Sequence, residues 1–181
     1  MKKELHISLD EMHPAYQWAK KQSDSVNALG HIGTHIDCYS KEPICSVYEV
    51  GTVVVDCRKA MPSVDELELL NCNGKLVVLY TSILRTCGYG NKEYGDSDSF
   101  LNEESLDALL AQNPKFIAID ACGIGSHGEE HIRFDKKCEA NNCFVIENVF
   151  LDDDIISSLK RVKIEIDIDC QSTGKPCKIY I

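Results

Sequence analysis

The chain has 181 residues, 44% of them hydrophobic and 27% charged, a composition that can bury a core without disulfides or a structural metal and that excludes disordered and fibrous classes. Its 29 acidic against 19 basic residues leave a formal net charge of -10, and no stretch concentrates the basic ones, so no nucleic-acid partner is expected. No apolar run approaches the roughly 18 residues of a membrane span, and the opening MKKELHISLDEMHP lacks the apolar stretch of a signal peptide, so the expectation is one cytoplasmic domain over 1–181 with no membrane association. In chain order, the residues before about Asn27 read as an amphipathic lead-in with Tyr16 and Trp18, in which His6 and His13 look like surface residues. The glycine-punctuated segment 30–37, GHIGTHID, follows. Residues 51–57 (GTVVVDC) read as a buried strand, and Ser63 and Glu66 form a capping-box pattern that opens a short helix. Residues 75–81 (KLVVLYT) are a second apolar strand, and 82–99, rich in Gly, Asp and Asn, reads as a loop long enough to cover a site. A helix over about 102–112, a strand at 116–120, another helix and a strand at 144–147 come next. The end reads as a hairpin, VKIEIDID and CKIYI around the turn QSTGKP, with one face toward water. Short β-branched runs alternating with helical stretches predict an α/β fold.

The ten cysteines stand at 38, 45, 57, 72, 87, 122, 138, 143, 170 and 177, and no pair has the C-x-x-C spacing of structural zinc or redox sites. They read as reduced thiols, most of them small buried side chains.

Chemistry concentrates in GHIGTHID, where His31, His35 and Asp37 put three metal-ligand side chains within seven residues. A flat strand would hold the two histidine Cα atoms roughly 13 Å apart. Gly33 permits a sharp bend that draws the imidazoles together. The plainer alternative, two hydrogen-bonded histidines and a turn-capping aspartate, accounts for the residues singly and not for their joint spacing.

HIGTHID resembles the H-x-G-T-H-x-D segment of the metal-dependent cyclase or kynurenine formamidase (arylformamidase) family, which includes isatin hydrolases. The resemblance runs from about Asn27 to Ile181, through VVVD, LVVLYT, FIAIDACGIG, FVIEN and TGKPCKIYI in that order. It implies a swivelling β/β/α domain with a mixed sheet and flanking helices, usually a homodimer or homotetramer, in which the 82–99 loop closes over the site. It also implies one or two divalent ions, Zn2+ or Mn2+, held by His31, His35, Asp37 and the Glu147 of FVIEN. Twelve residues before that glutamate many members carry a histidine where this chain has Asp135, and His131 shares a helical face with it. Asp135 is therefore carried as a ligand and His131, with Asp37 and Glu147, as a catalytic group; His127 is a weaker candidate. The longer motif H-x-G-T-H-x-D-x-P-x-H ends here in Tyr39 for its proline and Lys41 for its proton-handling histidine. An ordinary lysine, with a pKa near 10.4, is no base at neutral pH. Lys41 is expected to point away from the site or to orient an acidic substrate. The implied activity is hydrolysis of a carbon–nitrogen bond in a small amide or formamide by metal-activated water, with N-formylkynurenine of tryptophan catabolism as one type of substrate. Lactone or cyclic-imide hydrolysis, or binding of an ion or ligand without catalysis, are the alternatives.

Overall fold

The computed structural model describes residues 3–22 and 29–181; Asn27, where the resemblance starts, lies outside them. The strands are β1 (His35–Asp37), β2 (Val47–Asp56), β3 (Leu76–Tyr80), β4 (Phe116–Ile119), β5 (Phe144–Glu147), β6 (Arg161–Ile166) and β7 (Gly174–Tyr180). They close a barrel in the order β1-β5-β4-β3-β2-β6-β7. The inner strands β2 to β5 run parallel, and β6, β7 and β1 complete the circuit antiparallel. This is the α/β class with a mixed sheet and flanking helices. The helices are α1 (Pro14–Gln22), α2 (Val64–Glu68), α3 (Ile83–Cys87), α4 (Lys92–Gly95), α5 (Glu103–Ala111), α6 (Glu129–Ala140) and α7 (Asp153–Ser158).

The parallel strands are apolar throughout because both of their faces are covered. Leu76, Val78 and Tyr80 of β3 point into the barrel with Ile36, Phe116, Ile146 and Ile164, whereas Val77 and Leu79 point out to meet Leu106 and Leu109 of α5 and Phe134 of α6. The terminal hairpin instead alternates buried and accessible positions, as its period-two pattern predicts. Ser63 and Glu66 close the expected capping box at α2, and Asn102 caps α5 by accepting from the Ser105 amide.

Three readings change. The 82–99 stretch is no plain loop, since it winds into α3 and α4, the latter capped by Asn91; glycine density hid helices too short to have a periodicity. β2 begins at Val47, because its first half pairs with β6 and only its second half with β3. His6 is not a surface residue: its side chain is 4% exposed, with Nδ1 against the Ile179 carbonyl at 3.1 Å. All ten cysteines are free, and six of them are buried. Among the described residues no helix is long and apolar enough to cross a membrane.

Candidate metal centre

Strand parity selects the site residues. On β1, Ile36 enters the barrel core, so His35 and Asp37 face outward. On β5, Phe144 and Ile146 face inward, which leaves Val145 and Glu147 outside, and the register sets His35 opposite Glu147. Over this outer face lies α6, whose His131 and Asp135 are one turn apart on one side. Five carboxylate and imidazole side chains from three sequence-distant elements are thereby brought to one place.

His31 precedes β1 and joins through the bend. Gly33 has φ +79°, and a Cβ there would sit 2.5 Å from the Ile7 carbonyl oxygen, so both conformation and contact demand glycine. The bend leaves the His31 and His35 rings edge to face, with centroids 4.9 Å apart. Gly123 makes a second opening: with φ +113°, a Cβ would lie 2.5 Å from His131 Nδ1 and 2.9 Å from Glu147 Oε1.

Two donor sets share Asp37. Around Asp37 Oδ1, His31 Nδ1 lies at 3.0 Å and His35 Nε2 at 3.6 Å, with 3.2 Å between the two nitrogens. His131 Nε2 lies 3.6 Å from Asp37 Oδ2 and 3.2 Å from Asp135 Oδ2. Glu147 faces both, with Oε2 3.5 Å from His35 Nε2 and Oε1 3.4 Å from His131 Nε2. The outer ring nitrogens have other partners. His35 Nδ1 lies 2.9 Å from the Gly33 carbonyl, and His31 Nε2 2.9 Å from the Thr173 hydroxyl. A carbonyl only accepts, so a neutral His35 carries its proton on Nδ1 and turns a bare lone pair inward from Nε2.

Asp37, Asp135 and Glu147 are 1%, 2% and 4% exposed. Both oxygens of Asp37, both of Asp135 and Oε1 of Glu147 are buried without a hydrogen-bond partner. Burial pushes the Glu147 and Asp135 carboxyls well above the usual carboxylate range, and the Asp37 charge pushes them further. Burial opposes the charge of Asp37 too, but the His35, His131 and His31 rings prevail and hold it well below that range. Three buried carboxyls with orphaned oxygens, facing inward imidazole nitrogens, are costly without a cation and complementary to one. His31, His35 and Asp37 form one set whose ligand atoms lie within 4.8 Å of one another, and Asp37, His131 and Asp135 form another. Mixed imidazole and carboxylate donors suit a divalent metal ion.

The other candidates fall elsewhere. His127 Nε2 lies 2.8 Å from the Gly95 carbonyl and 3.6 Å from Cys122 Sγ, bracing the α4 segment. Lys41 turns its ammonium to Asn142 Oδ1, at the far end of α6. Sequence reasoning missed Glu139, whose buried carboxylate accepts the amides of Tyr39, Ser40 and Lys41 at 2.6, 2.7 and 2.9 Å. The signal was there, one further helical turn beyond His131 and Asp135. It also missed Asn148, which donates from Nδ2 to the Gly33 carbonyl at 2.9 Å and accepts from the Tyr94 hydroxyl at 2.5 Å. Tyr89, from the 82–99 segment, accepts the Gly33 amide at 2.8 Å, so that segment does pack against the site. A cleft of about 560 Å3 between the N-terminal segment and the β6–β7 hairpin, lined by Ile7, Tyr16, Ile32 and Lys178, contains none of the candidate ligands.

No family model and no curated protein matches the chain. Solved structures do match. A predicted metal-dependent hydrolase from Bacillus stearothermophilus superposes with a TM-score of 0.67 at 17% identity, covering 99% of this chain and 97% of that one. A potential metal-dependent hydrolase with cyclase activity gives 0.63 at 17% identity over 99% and 96%. Isatin hydrolase A from Labrenzia aggregata, bound to benzyl benzoate, gives 0.69 at 14% identity over 100% and 93%. The shared fold is thus that of proteins described as metal-dependent hydrolases and cyclases.

Proposed function

We propose that this protein is a metal-dependent hydrolase that cleaves a carbon–nitrogen bond in a small amide, using zinc or manganese. The observation that carries the reading is the convergence of orphaned buried carboxylate oxygens and inward imidazole nitrogens on shared Asp37. His31, His35 and Asp37 would hold one ion, Asp37, His131 and Asp135 a second, and Glu147 faces both positions. When bound, such an ion supplies Lewis acidity to a carbonyl and acidifies water. The Gly33 carbonyl fixes the His35 ring with its lone pair inward and Thr173 holds the His31 ring in place, which lowers the reorganisation needed to bind. Glu147 Oε1, buried without a hydrogen-bond partner and 3.4 Å from His131 Nε2, would take a proton from water and return it to a leaving nitrogen. His131, beside that oxygen, stabilises the carboxylate form.

The cyclic-imide alternative gains from the isatin hydrolase among the similar folds, because opening a cyclic amide needs the same groups. Arylformamidase action, with its place in tryptophan catabolism, is the narrower form of the proposal, and a homodimer or homotetramer its expected assembly. The test is direct. Protein dialysed without chelator should retain zinc or manganese near stoichiometrically by elemental analysis. Loaded with either metal, it should hydrolyse at least one of an N-formyl aromatic amine, a cyclic imide and a lactone. Failure to load metal at micromolar concentration sinks the reading; metal without turnover leaves a binding protein.

A further inference from the structure

Tyr39 is placed with care and given nothing to do. Its amide donates to Glu139 Oε1 at 2.6 Å, and the next two amides donate to Oε2 of the same buried carboxylate, so the backbone that carries it is fixed to α6. Its ring lies nearly parallel to that of His31, at 27° with centroids 6.1 Å apart. Tyr39 as a whole is only partly buried. Among the described residues its hydroxyl has no hydrogen-bond partner, although Asp37, Asp135 and Glu147 are near enough to act on it electrostatically. The other tyrosine hydroxyls of the neighbourhood are engaged, Tyr89 with the Gly33 amide and Tyr94 with Asn148. Lys41 has turned away to Asn142.

We infer that the Tyr39 hydroxyl is the site's hydrogen-bond donor to the acyl oxygen of the substrate, and so a catalytic residue. This rests on the hydrolase reading. In the step it serves, water oxygen bonds to the carbonyl carbon and the carbonyl π pair moves onto the acyl oxygen. That pair then returns as the carbon–nitrogen bond breaks, the nitrogen leaves with a proton, and the acyl group becomes a carboxylic acid that ionises. Tyr39 donates to the oxygen while it bears the charge and stays protonated throughout. Such donors contribute most because the charge develops only in the transition state.

The test uses the zinc-loaded full chain and Tyr39→Phe, which keeps the ring on His31 and deletes only the hydroxyl. With acetohydroxamate, whose oxygens imitate the charged acyl oxygen, calorimetry should find about tenfold weaker binding in the variant at equal zinc content. On whichever of formanilide and phthalimide is turned over, kcat should fall about a hundredfold, with KM within about threefold. Equal hydroxamate affinity, no hydroxamate binding by the wild type, or loss of zinc from the variant overturns the inference; zinc loss would make Tyr39 a packing partner of His31. If the wild type turns over neither amide yet the hydroxamate difference persists, the hydrolase reading fails while the phenol remains an oxyanion donor. Turnover that Tyr39→Phe leaves unchanged overturns the donor and spares the hydrolase.

Discussion

The two donor sets that meet at Asp37 are built in different ways. The β1 set, His31, His35 and Asp37, comes from seven consecutive residues bent at one glycine, and its geometry is local. The α6 set, His131 and Asp135 with Glu147, exists only when a helix lies across β5 and β1. The first set has its outer nitrogens anchored at Gly33 and Thr173, while His131 Nδ1 is buried with no partner. Orientation that is fixed beforehand lowers the cost of binding, so the β1 set should be the tight half and the α6 set the adjustable one.

The largest effect should come from the residue common to both. Asp37→Ala should abolish metal retention and lower turnover roughly a thousandfold or more, about 4 kcal/mol in the barrier, with the far-ultraviolet circular dichroism unchanged. A collapsed fold, or unchanged metal content, would make Asp37 a structural residue and erase the comparison. Next, His35→Ala should empty the chain of zinc, whereas His131→Ala should weaken zinc binding by about 10–100-fold, read by competition with a chromophoric chelator. Equal losses would mean that the halves are not graded.

Acid should separate them further. Asp135 and Glu147 have carboxyls raised by burial, so without metal they hold protons at a pH where solvent-exposed carboxyls are ionised. Binding an ion displaces those protons, and affinity must therefore rise with pH and fall as pH drops, about tenfold per unit for each proton displaced. Calorimetry in buffers of different ionisation enthalpy counts the protons. Asp37, held well below the usual range, should contribute none of them. The smallest effect belongs to Lys41→Met. With the ammonium on Asn142, turnover of a neutral substrate should stay within about tenfold, roughly 1.4 kcal/mol. A thousandfold loss at constant metal content would return Lys41 to the chemistry.

The same division explains what could be read in advance. Spacing along the chain exposes local geometry, so the HIGTHID bend, the Ser63–Glu66 box and the buried apolar strands were legible. The pairing of His131 with Asp135 was legible too, as helical periodicity. What periodicity does not carry is which distant surfaces meet. Nothing in HIRFD says that this helix covers β1, and nothing in FVIEN says that Glu147, last in its strand, is buried and not exposed on a rim. The roles of Glu139 and Asn148 were invisible for the same reason, since each acts on backbone far from it in sequence. His6 was misread because a lone polar residue near a chain start gives no hint of the β7 strand that covers it.

β1, three residues long, is the piece that shuts the barrel, paired on one side with β5 and on the other with β7. Both partners are made long after it during synthesis. The stretch that supplies half of the ligands therefore leaves the ribosome without a mate and stays unpaired until the last strand is complete, the slow kind of long-range closure. Whatever holds His31, His35 and Asp37 to α6 and β5 also holds that seam shut. An ion shared by these elements would add its binding free energy to a seam that closes without it, so metal would slow the reopening of the barrel and lengthen the life of the folded chain.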